Sequence, residues 1–138
     1  MIDFKIKGRG FQPVNERWWP ATQKQWGSKL LEDNRKFWPQ ERDPNTGRPW
    51  KALSPKYEAW KSRSKPGQPI LRYTGRMQNS AKIVPKGAGL EVQTTAYGKY
   101  QQFGTSRLVA RPWMGVPNTS MKTLSDLAWK NILSTKAK

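Results

Sequence analysis

The sequence contains no cysteine and no histidine. This excludes disulfides, thiolate chemistry, imidazole acid–base catalysis and zinc sites of the usual Cys/His kind. Long apolar runs are missing as well: no stretch approaches membrane-spanning length, and the N-terminus lacks the apolar region of a signal peptide. These absences predict a soluble protein that is made inside a cell and has no contact with a membrane.

Acidic residues are scarce. The chain has 9 Asp and Glu against 26 Lys and Arg, a net charge of +17. The excess is concentrated in residues 47–86, which hold ten basic residues and one acidic residue. A basic stretch is often only a solvated surface, but an imbalance of this size equally favours a polyanion or an acidic neighbouring subunit.

Aromatic residues are abundant for so polar a chain. The mean hydropathy is −0.92, yet the 138 residues include eight Trp, four Tyr and four Phe. Aromatic side chains bury large areas, so they supply a core that the aliphatic residues alone would not. Some of them are also expected at an interface, where Trp and Tyr act as anchors. Length and composition predict one domain over residues 1–138.

The local patterns predict an α+β fold, a small antiparallel sheet with a long N-terminal and a C-terminal helix packed on it. Alternation over residues 2–6 indicates a strand, and Gly87-Ala88-Gly89 indicates a hairpin between strands at 81–86 and 90–96. A helix is expected from about Thr22 to Trp38, a short helix after the cap Ser54-Pro55, and a last helix over 120–133. In the last helix, Met121, Leu124, Ala128 and Ile132 are expected on one face.

Two segments are expected to be mobile. Residues 61–69 are rich in Ser, Pro, Gly and Lys and predict a mobile basic loop, whereas residues 135–138 predict a frayed tail.

The chain offers little that suggests catalysis. Glu91-Val92-Gln93 resembles the acidic core of a metal-dependent nuclease, but Gln93 stands where Lys is needed and no second carboxylate precedes it. Phosphate-binding glycine loops are absent. The sequence therefore predicts a protein that is not an enzyme and needs no cofactor or metal.

Several blocks of residues resemble the phage virion morphogenesis family, the tail-completion proteins of contractile-tailed phages. The blocks are Leu71-Arg72, Thr74-Gly75, Gln102-Phe103-Gly104 and Ala110-Arg111-Pro112-Trp113-Met114-Gly115. Their order and spacing are kept from about residue 35 to 116, although Gln101 stands where the family usually has His. Gly75 and Gly104 occupy chain reversals that often require a positive φ.

The resemblance implies a structural virion protein at the tail or neck, assembled in the host cytoplasm, with a fold like tail-terminator and neck proteins. Such a subunit completes the tail tube and joins it to the head as a ring, with a hexamer favoured. Its expected partners are other neck, tail-tube or sheath proteins and the DNA that passes through without being read. A neck adaptor beneath the portal and a basic nucleic-acid-binding accessory protein are the alternatives.

Two sets of candidate site residues follow. We expect a subunit interface at Phe103, Arg111, Trp113 and Met114, with Arg111 able to pin backbone carbonyls or a neighbour's carboxylate. Trp113 serves equally well as a lid on its own core. We expect contacts with channel DNA or an acidic partner at Lys61, Arg63, Lys65, Arg72 and Arg76.

Overall fold

A computed structural model describes residues 2–5, 17–68, 70–71 and 75–136. The described residues form helices and an antiparallel sheet, which confirms the predicted α+β class. In chain order the elements are β1 (Ile2–Lys5), α1 (Trp19–Phe37), α2 (Pro55–Ser64), α3 (Arg76–Ser80), β2 (Lys82–Lys86), β3 (Gly89–Thr94), α4 (Ala96–Phe103), a 3-10 turn (Asn118–Ser120) and α5 (Met121–Lys136).

The sheet has three antiparallel strands in the order β1-β3-β2. The hairpin between β2 and β3 turns at Gly87, where φ is +57°. Pro85 lies in β2, an edge strand, where a residue without an N–H is tolerated. The predicted hairpin and its edge proline are thus confirmed, while the expectation for Ile6 falls outside the described residues.

Helix α1 packs across β2 and the hairpin turn. It begins at Trp19, three residues before the predicted start, because Pro20 fits the first turn of a helix. A Cβ on Gly27 would lie 2.6 Å from the carbonyl oxygen of Ile83, so only glycine permits this close helix–strand contact. At the turn, Trp19 Nε1 donates to the Ala88 carbonyl (3.0 Å) and Gln23 Nε2 donates to the Gly87 carbonyl (3.0 Å).

Helix α5 packs against the other flank of α1. Trp26 Nε1 donates to the Leu124 carbonyl (2.8 Å), and Asn131 Nδ2 donates to Thr22 Oγ1 (2.9 Å). On the predicted apolar face of α5, Leu124 is buried and Met121 is exposed. Helix α5 continues to Lys136 and so includes the first two residues of the expected frayed tail at 135–138.

Helix α2 starts as predicted: the Ser54 hydroxyl accepts a hydrogen bond from the Tyr57 N–H (3.4 Å), and Pro55 occupies the first turn. The helix then runs to Ser64, so the first four residues of the predicted loop 61–69 are helical. Lys61 explains the extension. Its side chain is buried against the rest of the domain, which holds the last turn of α2 in place.

Candidate partner-binding surfaces

The most unusual feature of the core is an extended stretch, residues 111–116, which we call the core segment. It belongs to no helix or strand, and side chains from three regions of the chain bind its carbonyls. The donors are Trp50 Nε1 to Pro112 O (2.6 Å), Trp38 Nε1 to Trp113 O (2.6 Å), Gln102 Nε2 and Asn45 Nδ2 to Met114 O (2.9 and 3.2 Å), and Asn34 Nδ2 to Gly115 O (2.9 Å).

Three of these donors are side-chain amides, and their oxygens in turn accept hydrogen bonds from the N–H groups of the core segment. Gln102 Oε1 accepts from the N–H groups of Trp113 and Met114 (3.0 Å each), Asn34 Oδ1 from Gly115 (2.9 Å) and Asn45 Oδ1 from Val116 (3.3 Å). Buried backbone polar groups must be paired, and here side-chain amides replace the ladder that a neighbouring strand would supply. The segment can therefore cross the core without being part of the sheet.

Trp113 and Met114 point into that core. Trp113 is 0% exposed, its ring packs 5.3 Å from that of Trp38, and its Nε1 donates to the Gly98 carbonyl (2.9 Å). Neither side chain is available to a neighbouring subunit in this conformation, which corrects their expected place at an interface. Of the two roles considered for Trp113, packing within its own subunit is the one that the structure supports.

Arg111 also acts within the subunit. Its Nε donates to the Lys51 carbonyl (2.8 Å) and its Nη2 to the Ala52 carbonyl (3.0 Å), which fixes the loop that leads into α2. Burial lowers the pKa of this guanidinium below its ordinary value. The expected capture of carbonyls by Arg111 is thus present, and the carbonyls belong to its own chain.

Beside Arg111 lies an open apolar groove with a volume of about 990 Å³. Its walls come from the loop before α2, from α2, α3 and α4, and from the loop after α4. The lining includes three aromatic rings that are each more than one-third exposed: Tyr57, Trp60 and Tyr97. Met77 is buried at the groove, and Val109 is exposed on the loop after α4. We refer to this feature as the groove.

The predicted basic contacts separate into two kinds. Arg63, Lys65 and Arg76 are exposed and can meet an anion. Lys61 is only 5% exposed, and burial lowers the pKa of its ammonium group, an effect that the nearby Glu41 carboxylate only partly offsets. Lys61 is therefore a wall residue of the groove, which corrects its place among the surface contacts, and Arg72 lies outside the described residues.

Two other apolar surfaces are formed by residues that do not line the groove. On α4, Tyr100 is exposed and Phe103 is 58% exposed. On α5, Trp129 and Leu133 are 60% and 63% exposed and lie one helical turn apart. The Gln102-Phe103-Gly104 block led to Phe103 as a candidate interface residue. The α5 pair was not predicted, although its spacing of four residues on a helix was a usable signal.

The acidic positions offer no metal site in the ranges that the structure describes. Glu91 is buried and its carboxylate pairs with the Lys86 ammonium (2.6 Å), a structural role in the hairpin. None of the described helices is long and apolar enough to cross a membrane.

Exposed apolar surfaces of this kind are typical of a protein that binds other macromolecules. The model of the phage virion morphogenesis family matches residues 16–132. The chain belongs to this family, which gives it a structural or assembly role in a phage virion. Comparison with curated proteins and with solved structures found no match.

Proposed function

We propose that this chain is a tail-completion subunit. It forms a ring, with a hexamer favoured, that caps the tail tube and joins it to the head around the DNA channel. Its partners are then further copies of itself, other neck proteins, and tail-tube or sheath proteins. Membership of the family supports this proposal, and the mechanism is one of assembly geometry instead of catalysis.

A closed ring of identical subunits needs two different surfaces on each subunit, because every contact is head to tail. The outer faces of α4, with Tyr100 and Phe103, and of α5, with Trp129 and Leu133, are two such surfaces on separate elements. We propose that the α4 face of one subunit packs against the α5 face of the next subunit in the ring.

The α5 pair is the observation that carries the proposal. Helix α5 already packs on α1 through Leu124, so Trp129 and Leu133 are not needed for that contact. Large apolar side chains that stay exposed as a pair mark interaction sites more often than isolated ones do. A net charge of +17 opposes self-association in free solution, so we expect the ring to form on the tail template.

The test uses a phage whose copy of this gene is deleted, complemented with the wild-type chain, with Trp129→Glu, or with Ser125→Glu as a matched control on the same helix. Trp129→Glu is expected to yield a folded subunit but separate heads and tails in electron micrographs. Ser125→Glu is expected to restore whole virions. Joined virions with Trp129→Glu, or a virion neck that contains a single copy of the subunit, would contradict the proposal.

A second candidate function is sequence-independent nucleic-acid binding. The exposed Arg63, Lys65 and Arg76 in a strongly basic chain favour it, since clustered cations bind phosphates without reading bases. In the ring, the same residues would face the DNA in the channel. Sequence-selective binding in free solution that survives high salt would instead favour a dedicated nucleic-acid-binding protein.

A further inference from the structure

We propose that the groove is a docking site for an acidic peptide segment of another protein, which inserts an aromatic or leucine side chain between Trp60 and Val109 and places its carboxylates on Arg76 and Arg107. This goes beyond the ring, because none of the residues that line the groove is among those assigned to contacts between copies of this chain.

The apolar part of the groove selects an inserted side chain. Met77 is buried against it, and the aliphatic side chains of Leu53, Leu71 and Leu108 line it beside the aromatic rings. A concave, largely apolar site with a few polar groups at its edge is the usual form of a site that anchors one large side chain. A volume of about 990 Å³ accommodates an aromatic or leucine side chain together with the peptide backbone around it.

The charged part of the groove selects acidic flanks. Among its described lining residues four are basic and none is acidic. Arg76 and Arg107 are exposed, and Lys61 and Arg111 lie in the walls. Arginine binds carboxylates through two parallel hydrogen bonds, so the exposed pair can hold acidic side chains on both sides of an inserted residue.

The backbone conformation of Leu71 also supports a binding role for the groove. Leu71 lines the groove with a φ of +67°, a left-handed conformation that bulky residues rarely adopt. Conformations of this kind cluster at ligand-binding sites, where the surrounding structure imposes them.

The same features disfavour two other occupants of the groove, a single-stranded nucleic acid and a second copy of this chain. A single-stranded nucleic acid needs a row of exposed cations along its backbone, but two of the four groove cations are buried and Arg111 already binds two backbone carbonyls. A second copy of this chain would bring a net charge of +17 to a basic surface. An acidic segment matches both the sign of the charge and the apolar walls.

The experiment selects the ligand from a library of random dodecapeptides displayed on yeast, using the labelled full chain at about 0.15 M salt. A counter-selection with Val109→Asp removes peptides that bind only the overall positive charge. We expect the enriched peptides to combine Asp or Glu with Phe, Trp or Leu. No enrichment, or enrichment of peptides without acidic residues, would overturn the proposal.

The best synthetic peptide is then titrated by fluorescence anisotropy. Val109→Asp and Arg107→Glu are each expected to weaken its Kd by about 10-fold or more. Both positions are exposed, so neither change endangers the fold. Arg63→Glu makes the same change of charge on α2 outside the groove and is expected to change the Kd by less than about 3-fold.

If Arg63→Glu and Arg107→Glu weakened peptide binding equally, the peptide would be attracted only by the overall charge of the protein, and the proposal would be overturned. A dT dodecamer that displaces the peptide and whose own binding is weakened about 10-fold or more by Val109→Asp would also overturn it and would assign the groove to nucleic acid. Trp129→Glu is expected to bind the peptide like the wild type. A failure of the ring proposal and a failure of the groove proposal are therefore distinguishable.

Discussion

The side-chain amide of Asn34 and the backbone of Gly115 exchange two hydrogen bonds in opposite directions. Asn34 Nδ2 donates to the Gly115 carbonyl (2.9 Å), and the Gly115 N–H donates to Asn34 Oδ1 (2.9 Å). Asn34 is buried, so water cannot replace either bond. This reciprocal pair joins the middle of the core to α1, because the planar amide carries a donor and an acceptor side by side.

Replacing Asn34 by Asp should destabilise the protein strongly. The substitution keeps the shape but removes the donor to Gly115 and buries a carboxylate beside carbonyl oxygens. We expect the free energy of unfolding to fall by about 2–4 kcal/mol in urea titrations. Asn79→Asp makes the same chemical change at an exposed position of α3. Equal stability of the two variants would contradict this role of Asn34.

Trp113→Ala and Phe103→Ala should have opposite consequences. Trp113 fills the core, so its truncation is expected to cost about 3–5 kcal/mol of stability, seen as a lower melting temperature of the isolated chain. Phe103 is exposed, and its truncation should change stability by less than about 1 kcal/mol while head–tail joining fails. If Trp113→Ala were as stable as the wild type, the core role of Trp113 would be wrong and an interface role would be favoured again.

Acid should weaken the contact between α1 and the start of α5. Burial raises the pKa of Asp33, but hydrogen bonds from the Ser120 hydroxyl (2.6 Å) and the Lys29 ammonium (3.1 Å) outweigh it, so the pKa lies below the ordinary 3.8. A carboxyl group whose pKa is lowered by folding stabilises the fold above its unfolded pKa. That contribution disappears as the pH falls through the folded pKa.

The measurement for Asp33 is stability against pH. Asp33→Asn should lose about 1–3 kcal/mol near neutral pH, and its stability should fall less than that of the wild type below pH 3.8. Asp126→Asn is the control, because Asp126 pairs with Lys122 at the exposed surface of α5. Parallel pH profiles for wild type and Asp33→Asn would contradict the assignment.

DNA binding by the isolated chain should depend on exposed cations and on salt. We expect Arg63→Glu, Lys65→Glu and Arg76→Glu each to lower the slope of log K against log salt by about 0.9 for each phosphate of duplex DNA that the variant no longer neutralises. Lys61→Met should leave this slope unchanged, since Lys61 is buried. Filter binding at several salt concentrations with unrelated sequences checks both statements, and sequence-selective binding at high salt would oppose them.

Local chemistry was enough to predict those parts of the fold that depend on neighbours in the sequence. The Ser54 cap with Pro55 and the hairpin at Gly87 are examples, as are Gly75 and Gly104, whose φ values are +82° and +73°. Helix α4 was missed because Gly98 and the polar residues between its aromatics obscure the helical pattern.

The site was harder to predict because its determinants lie far apart along the chain. Trp113 looks like a loop aromatic in the sequence, and only Trp38, 75 residues away, and Gln102 show that it belongs to the core. The groove is assembled from separate elements in the same way. Arg63, Lys65 and Arg76 are exposed, as a contact with an anion requires, whereas the burial of Lys61 depends on packing that the sequence does not show.

The core segment has a consequence for how the protein is made on the ribosome. Trp38, Trp50 and Asn34 bind carbonyls that lie 75, 62 and 81 residues further along the chain. During synthesis these indoles and amides have no native partner until residues 112–115 leave the exit tunnel. Folding of the subunit is therefore completed only after most of the chain has emerged, and the nascent protein exposes its tryptophans throughout that time.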